Sequence, residues 1–257
     1  MDFGAAMFFT EYSMTPVELG QALEARGFES VWAPEHSHIP STRKTPPASG
    51  GELENRYYVV MDPFVTLTAA AMATKTLKVG TGVCLVIQRD TIQTAKLVAT
   101  IDHVSGGRFL FGVGGGWNQD EIEDHGTVFK TRFKKMREQM EAMKEIWTKS
   151  EPEYHGDIVD FPKMRTWPKP VQKPHPRSLS AVRSRTAPGA RSATATGGYQ
   201  TQPGLTMPTS PSFCRSFERW WLRPAVMRPG FPSRFGVPRT TSIALSVTVI
   251  RESRALS

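Results

Sequence analysis

The strongest constraint on the fold is a repeated change of period over the first 113 residues. Short apolar runs alternate there with stretches carrying helical spacing and helical end signals. The strand-like runs fall near 2–9, 29–33, 77–86 and 108–113. Between the first two, Thr15-Pro16-Val17-Glu18 opens a helix. Thr15 can cap the first free N–H groups, Pro16 sits where a missing N–H costs nothing, and Glu18 can reach back to the cap. Leu19, Ala22 and Leu23 give that helix its apolar stripe, and Gly27 ends it. Further helices are read from Asp62-Pro63 to about Ala73, over Thr91–His103, and from about Lys130 to Thr148. The last carries Phe133, Met136, Met140, Met143 and Trp147 at helical spacing, which is read as a core-facing stripe. Strands that alternate with helices across short links should be parallel, adjacent in chain order and joined by right-handed crossovers. A doubly wound sheet and a barrel both meet that description, and periodicity does not separate them.

Charge divides the chain in two. The net charge of +8 suggests a nucleic-acid partner until its location is examined. Residues 1–176 hold 20 Lys and Arg against 22 Asp and Glu. Residues 177–257 hold 12 Arg, no Lys, no Asp and 2 Glu, so the whole basic excess lies there. Cys84 and Cys214 have neither metal-ligand spacing nor a disulfide framework, which fits a reducing compartment. No apolar run nears the roughly 18–20 residues of a membrane helix. The start of the chain lacks the basic-then-apolar order of a signal peptide. The expectation is a cytoplasmic protein with a small-molecule substrate and neither a nucleic acid nor a membrane as partner.

Four stretches carry a family resemblance. They are Ala25-Arg26-Gly27-Phe28-Glu29-Ser30-Val31-Trp32-Ala33-Pro34-Glu35-His36, Val79-Gly80-Thr81-Gly82-Val83, Ser105-Gly106-Gly107-Arg108-Phe109-Leu110-Phe111-Gly112-Val113-Gly114-Gly115-Gly116-Trp117-Asn118, and Trp167-Pro168-Lys169-Pro170-Val171-Gln172-Lys173-Pro174. In this order and spacing, residues 1–176 resemble the luciferase-like monooxygenase family, especially its branch using coenzyme F420. The resemblance implies the N-terminal half of a (β/α)₈ barrel, with its site at the C-terminal ends of the strands. It also implies a flavin-type cofactor, coenzyme F420 or alternatively FMN, and often a homodimer.

The resemblance places candidate residues as well. His36 leaves the second strand and is the candidate catalytic residue, a donor or proton carrier beside the ring, a role that suits imidazole. Glu35, Gly82, Val83, Gly112, Gly114, Gly115, Gly116 and Trp117 join His36 as candidate cofactor-binding residues. Related proteins often hold a cis peptide at the Gly82-Val83 position. The glycine run lets backbone approach a bound ring or phosphate, but it lacks the spacing of a dinucleotide fingerprint. Asp120, Glu121, Glu123 and Asp124 read as a solvated helix start, where acids favour the N-terminus. His38, His103, His125 and His155 are given no role.

After Pro176 the family pattern stops, and residues 177–257 are read as a frameshifted, irregular tail. Codons for Arg177–Val182 regrouped by one nucleotide can spell Pro-Val-Ile-Val-Gly-Gly. The same shift over Ala193–Gly198 can spell Arg-Tyr-Gly-Asp-Gly-Trp. Both are landmarks of the resembled family. The rival reading is a basic, disordered tail that binds nucleic acid. The expectation is that 177–257 do not continue the barrel, with Ile243–Ile250 as a stray strand at most. Barrel phosphate sites are frequently built from the loops after strands 7–8, so cofactor binding by this chain should be weak or absent. The functional alternatives are an F420-dependent hydride-transferring oxidoreductase, an FMN-dependent monooxygenase, and an inactive half-barrel fragment.

Overall fold

The computed structural model describes residues 3–46 and 51–180. Four strands form where the alternation placed them: β1 (Gly4–Ala6), β2 (Ser30–Ala33), β3 (Lys78–Thr81) and β4 (Phe109–Val113). They are parallel and adjacent in chain order, with Ala6 opposite Trp32, Trp32 opposite Gly80, and Gly80 opposite Leu110. The third strand is shorter than the expected 77–86. Beyond Thr81 the regular ladder is interrupted; Cys84 bridges once more in parallel to Val113, and the chain then turns into a 3₁₀ segment at Val86–Gln88.

Each crossover helix begins on the signal seen in the sequence. In α1 (Pro16–Glu24) the Thr15 hydroxyl accepts from the Glu18 N–H, and the Glu18 carboxylate accepts from the Thr15 N–H. In α2 (Pro63–Met72) Asp62 accepts from the N–H groups of Phe64 and Val65. In α3 (Thr91–Val104) Asp90 caps Gln93 at 2.7 Å. A short α4 (Gln119–Asp124) precedes α5 (Arg132–Thr148), which buries Met136, Met143, Ile146 and Trp147. The apolar stripe of that helix is therefore core, although Phe133 at its start is exposed.

Two features lay outside the expectations. Tyr154–His155 (β5) and Asp160–Phe161 (β6) form an antiparallel hairpin after α5. Ser178–Ser180 (β7) pairs in parallel with β4, Phe111 opposite Ser178, so the sheet runs β1-β2-β3-β4-β7. The expectation that nothing after Pro176 continues the barrel is corrected for these three residues. The physical reason is upstream: Gln172 donates from its backbone and side-chain nitrogens to the buried Asp102 at 2.9 and 2.6 Å, and its side chain also donates to the Phe109 carbonyl. Lys169 donates to the Ile146 carbonyl at 2.7 Å. The segment before β7 is thus fastened to α3, β4 and α5, and delivers the chain alongside β4. Of the first regrouped landmark, Arg177–Ser180 are described and Ala181 and Val182 are not; the second landmark and Ile243–Ile250 lie outside the described residues.

The main core lies between the sheet and its helices. Ala5, Val31, Val79, Phe109 and Phe111 meet Leu19, Leu67, Ala95, Val98 and Trp147 there. The alternate strand residues Ala6, Trp32, Leu110 and Leu179 form a second cluster on the opposite, barrel-interior face, as period-two alternation requires. At the N-terminal ends of the strands Arg108 spans the gap to the end of α2. It donates to the carbonyls of Ala71, Thr74 and Leu77 and to its neighbour Ser105. Among the described residues no helix is long and apolar enough to cross a membrane.

Candidate active site

The C-terminal ends of β2, β3 and β4 converge through backbone contacts. The Gly82 N–H donates to the Ala33 carbonyl at 2.7 Å, the Cys84 N–H to the Gly112 carbonyl at 2.7 Å, and the Gly114 N–H to the Cys84 carbonyl at 3.0 Å. The Gly82-Val83 peptide is cis. Gly112 leaves no room for a side chain, because a Cβ there would fall inside the Thr81 carbonyl oxygen. A Cβ on Gly114 would meet the Val83 side chain at 2.6 Å. These glycines are therefore required by neighbouring protein atoms. Gly116, with φ of 65°, takes the left-handed turn that starts the approach to α4.

Glu35 follows β2 and turns into the protein. Its Oε2 accepts the Leu85 N–H at 2.7 Å, and its Oε1 accepts from Arg89 Nε at 2.5 Å. Arg89 also reaches Asp62 at 2.6 Å and lies over the Phe64 ring. Burial alone lowers the Arg89 pKa, but Glu35 foremost, with Asp62, more than reverses it, so the guanidinium stays charged. Both Glu35 oxygens thus brace the segment that follows the cis peptide. Cys84 sits beside this pair, fully buried; burial first, then the Glu35 charge, pushes its thiol pKa well up and holds it protonated.

His36 points differently. Its Nδ1 lies 2.7 Å from Oε2 of Glu121, with the two side chains 7% and 1% exposed. Glu121 Oε1 accepts the Ser37 N–H at 3.1 Å. The imidazole edge meets Tyr57 and Trp117, ring centroids 5.4 and 5.8 Å away. His36 thus adjoins Trp117, at the end of the glycine run. Glu121 is a correction: it was assigned to a solvated helix start, yet it is buried. The acidic run gave no sign of this, because the partner of Glu121 is far away in sequence.

A polar cluster lies nearer the surface. Ser37 Oγ is 2.9 Å from His38 Nδ1 and 2.7 Å from His125 Nε2, and His38 Nε2 is 3.0 Å from Asp124. Burial foremost, then His38, lowers the His125 pKa against the opposing charges of Glu121, Glu35 and Asp124. Among the described residues no group of three or more His, Cys, Asp or Glu is placed to hold a metal ion.

Beyond these strands the side chains of Asn118, Thr10 and Gln88 have buried polar atoms with no hydrogen-bond partner among the described residues. Asn118, 1% exposed, directly follows Trp117, and neither its amide oxygen nor its nitrogen has a partner among the described residues. The Thr10 hydroxyl beyond β1 is buried and likewise unpartnered. Buried amides without partners are costly. A flat ligand whose edge carries carbonyl and N–H groups fits that demand.

Residues 14–197 match the model of the luciferase-like monooxygenase family, and the chain belongs to that family. An uncharacterised protein of Mycobacterium tuberculosis is 40% identical over 178 residues, which are 68% of this chain and 63% of that protein. The chain therefore spans less than two thirds of the length of this relative. An FMNH2-dependent dimethylsulfone monooxygenase of Pseudomonas putida is 36% identical over 36% of this chain and 26% of its own. An F420-dependent glucose-6-phosphate dehydrogenase of Amycolatopsis mediterranei is 28% identical over 61% of this chain and 44% of its own. The solved structure of a monooxygenase from Streptomyces bottropensis superposes with a TM-score of 0.60 at 25% identity, over 70% of this chain and 53% of that one. The family comprises flavin- and F420-dependent oxidoreductases and monooxygenases, and the fold is the corresponding part of their α/β barrel.

Proposed function

We propose that this chain carries part of the site of a flavin- or deazaflavin-dependent oxidoreductase acting on a small organic molecule, with coenzyme F420 as the cofactor and FMN as the alternative. The observation that carries this reading is the pairing of His36 with the buried Glu121 beside Trp117, at the strand ends where Asn118 has unmet hydrogen bonds. When bound, the ring would supply the hydride or the oxygen chemistry. The protein's part is orientation and proton handling. Gly82, Val83 and the 112–117 turn would form the wall against the ring, Asn118 would read its polar edge, and His36 would hold or move a proton at Nε2. Glu35 would keep that wall in place through Leu85.

The test is titration of the purified 257-residue chain with F420 and, separately, with FMN, followed by ring fluorescence. A saturable change with one of them, weakened in H36Q or N118A, supports the reading and selects the cofactor. Affinity should be low, because barrel phosphate sites often come from later strands. A second reading, an inactive half-barrel, is favoured by the finding that only five parallel strands occur among the described residues. No saturable response to either cofactor would support it and remove the first.

A further inference from the structure

Both oxygens of Glu121 have a named partner. Oε1 takes the backbone N–H of Ser37, and Oε2 faces Nδ1 of His36. The Glu121 side chain is 1% exposed, so water does not compete for either oxygen. A carboxylate accepts and does not donate. The ring nitrogen facing it must then carry the hydrogen, in neutral imidazole as much as in imidazolium. Nε2 of His36 makes no hydrogen bond to any described residue.

We infer that Glu121 is a positioning residue that fixes His36 as the Nδ1–H tautomer, leaving Nε2 as the one atom through which His36 gains or loses a proton. The use of that proton rests on the proposed cofactor site; the tautomer does not. The backbone of Ser37 supplies the second half of the argument. A peptide N–H cannot rotate away, so it permanently claims one acceptor from residue 121. In Glu121→Gln the single amide oxygen goes to Ser37, and the NH₂ is turned toward Nδ1. That nitrogen must now accept, and the hydrogen moves to Nε2. The isosteric variant therefore reverses the tautomer, whereas a residue that merely filled space would leave it unchanged.

The experiment is ¹⁵N NMR of the full chain with labelled imidazole nitrogens, read on the neutral ring. Its signals are identified by their loss in H36Q. The expected result is a protonated Nδ1 and a bare Nε2 in the unmodified chain, with the opposite pattern in E121Q. An Nε2–H tautomer in the unmodified chain overturns the assignment, as does an E121Q spectrum that keeps Nδ1–H. The first measurement needs no variant, so it decides the matter even if E121Q fails to fold. Absence of binding by both F420 and FMN would remove the proposed function and leave this result standing.

Discussion

Glu35 accepts a hydrogen bond of 2.7 Å from the backbone N–H of Leu85, across 50 residues of sequence. Its other oxygen is held by Arg89. The pair joins the end of β2 to the segment after β3, where the chain leaves the ladder. E35Q should lower stability by about 3 kcal/mol, the low end of the loss for breaking a buried ion pair, because Asp62 still faces Arg89. Denaturant midpoints check this. A change below about 0.5 kcal/mol, the usual size of a surface substitution, would show the brace to be dispensable.

Cys84 should be chemically silent in the folded protein. It is fully buried, and burial with the nearby Glu35 charge raises its thiol pKa. The thiolate is the reactive form. In C214S, a disulfide reagent at pH 8 should label less than a tenth of the native chain in the time that labels all of the urea-unfolded chain. Rapid native labelling would mean that the strand ends open.

Gly112→Ala should be among the most damaging single-methyl additions. Its Cβ would collide with the Thr81 carbonyl, a backbone atom that cannot rotate aside. The expected loss is about 3 kcal/mol, the upper part of the range for overpacking. Gly126→Ala is the control, since nothing lies within 4 Å of its Cβ position and only its φ of 72° opposes the change. That costs about 1 kcal/mol. Equal melting temperatures for the two variants would contradict the packing argument.

Glu24 gives the fold a definite acid sensitivity. The N–H groups of Thr76 and Leu77, foremost, hold its carboxyl at about 2 against an ordinary 4.5. The folded state therefore takes up this proton less readily than the unfolded chain. The stabilisation is fully present above about pH 4.5 and is lost as the pH falls toward 2. Stability measured from pH 6 to pH 2 should fall less steeply in E24Q than in the parent chain. Parallel curves would assign the acid loss to other carboxylates.

What could be read from the sequence was mostly local. The Thr15-Glu18 cap, the Asp62 cap and the alternation of β1 to β4 each depend on neighbours within a few residues, and each was found. The end of β3 was misplaced because Leu85 and Val86 remain apolar after leaving the sheet, so composition gives no sign of the turn. Tyr154–His155 and Asp160–Phe161 are too short to show a period. Glu121 was misread for the same kind of reason: it shares the first turn of α4 with Asp120, where acids suit a helix start, and only the return of the chain, which sets Ser37 against Glu121 and Lys44 against Asp120, shows that both are taken up by the protein. His36 was identified by family resemblance and by its place after a strand. What it pairs with could be known only once β2 and α4 were brought together.

Trp32 and Gly80 stand opposite each other in the β2–β3 register, and a Cβ on Gly80 would lie 2.5 Å from the Trp32 ring. A Cβ on Gly4 would meet the indole nitrogen at 2.9 Å. The indole occupies the volume that the two flanking strands, β1 and β3, would otherwise fill with side chains of their own. This restricts how sequences of this kind can diverge. A larger residue at position 80 can be inherited only after, or together with, a smaller one at position 32, so a side chain at 80 should not be found beside a tryptophan at 32.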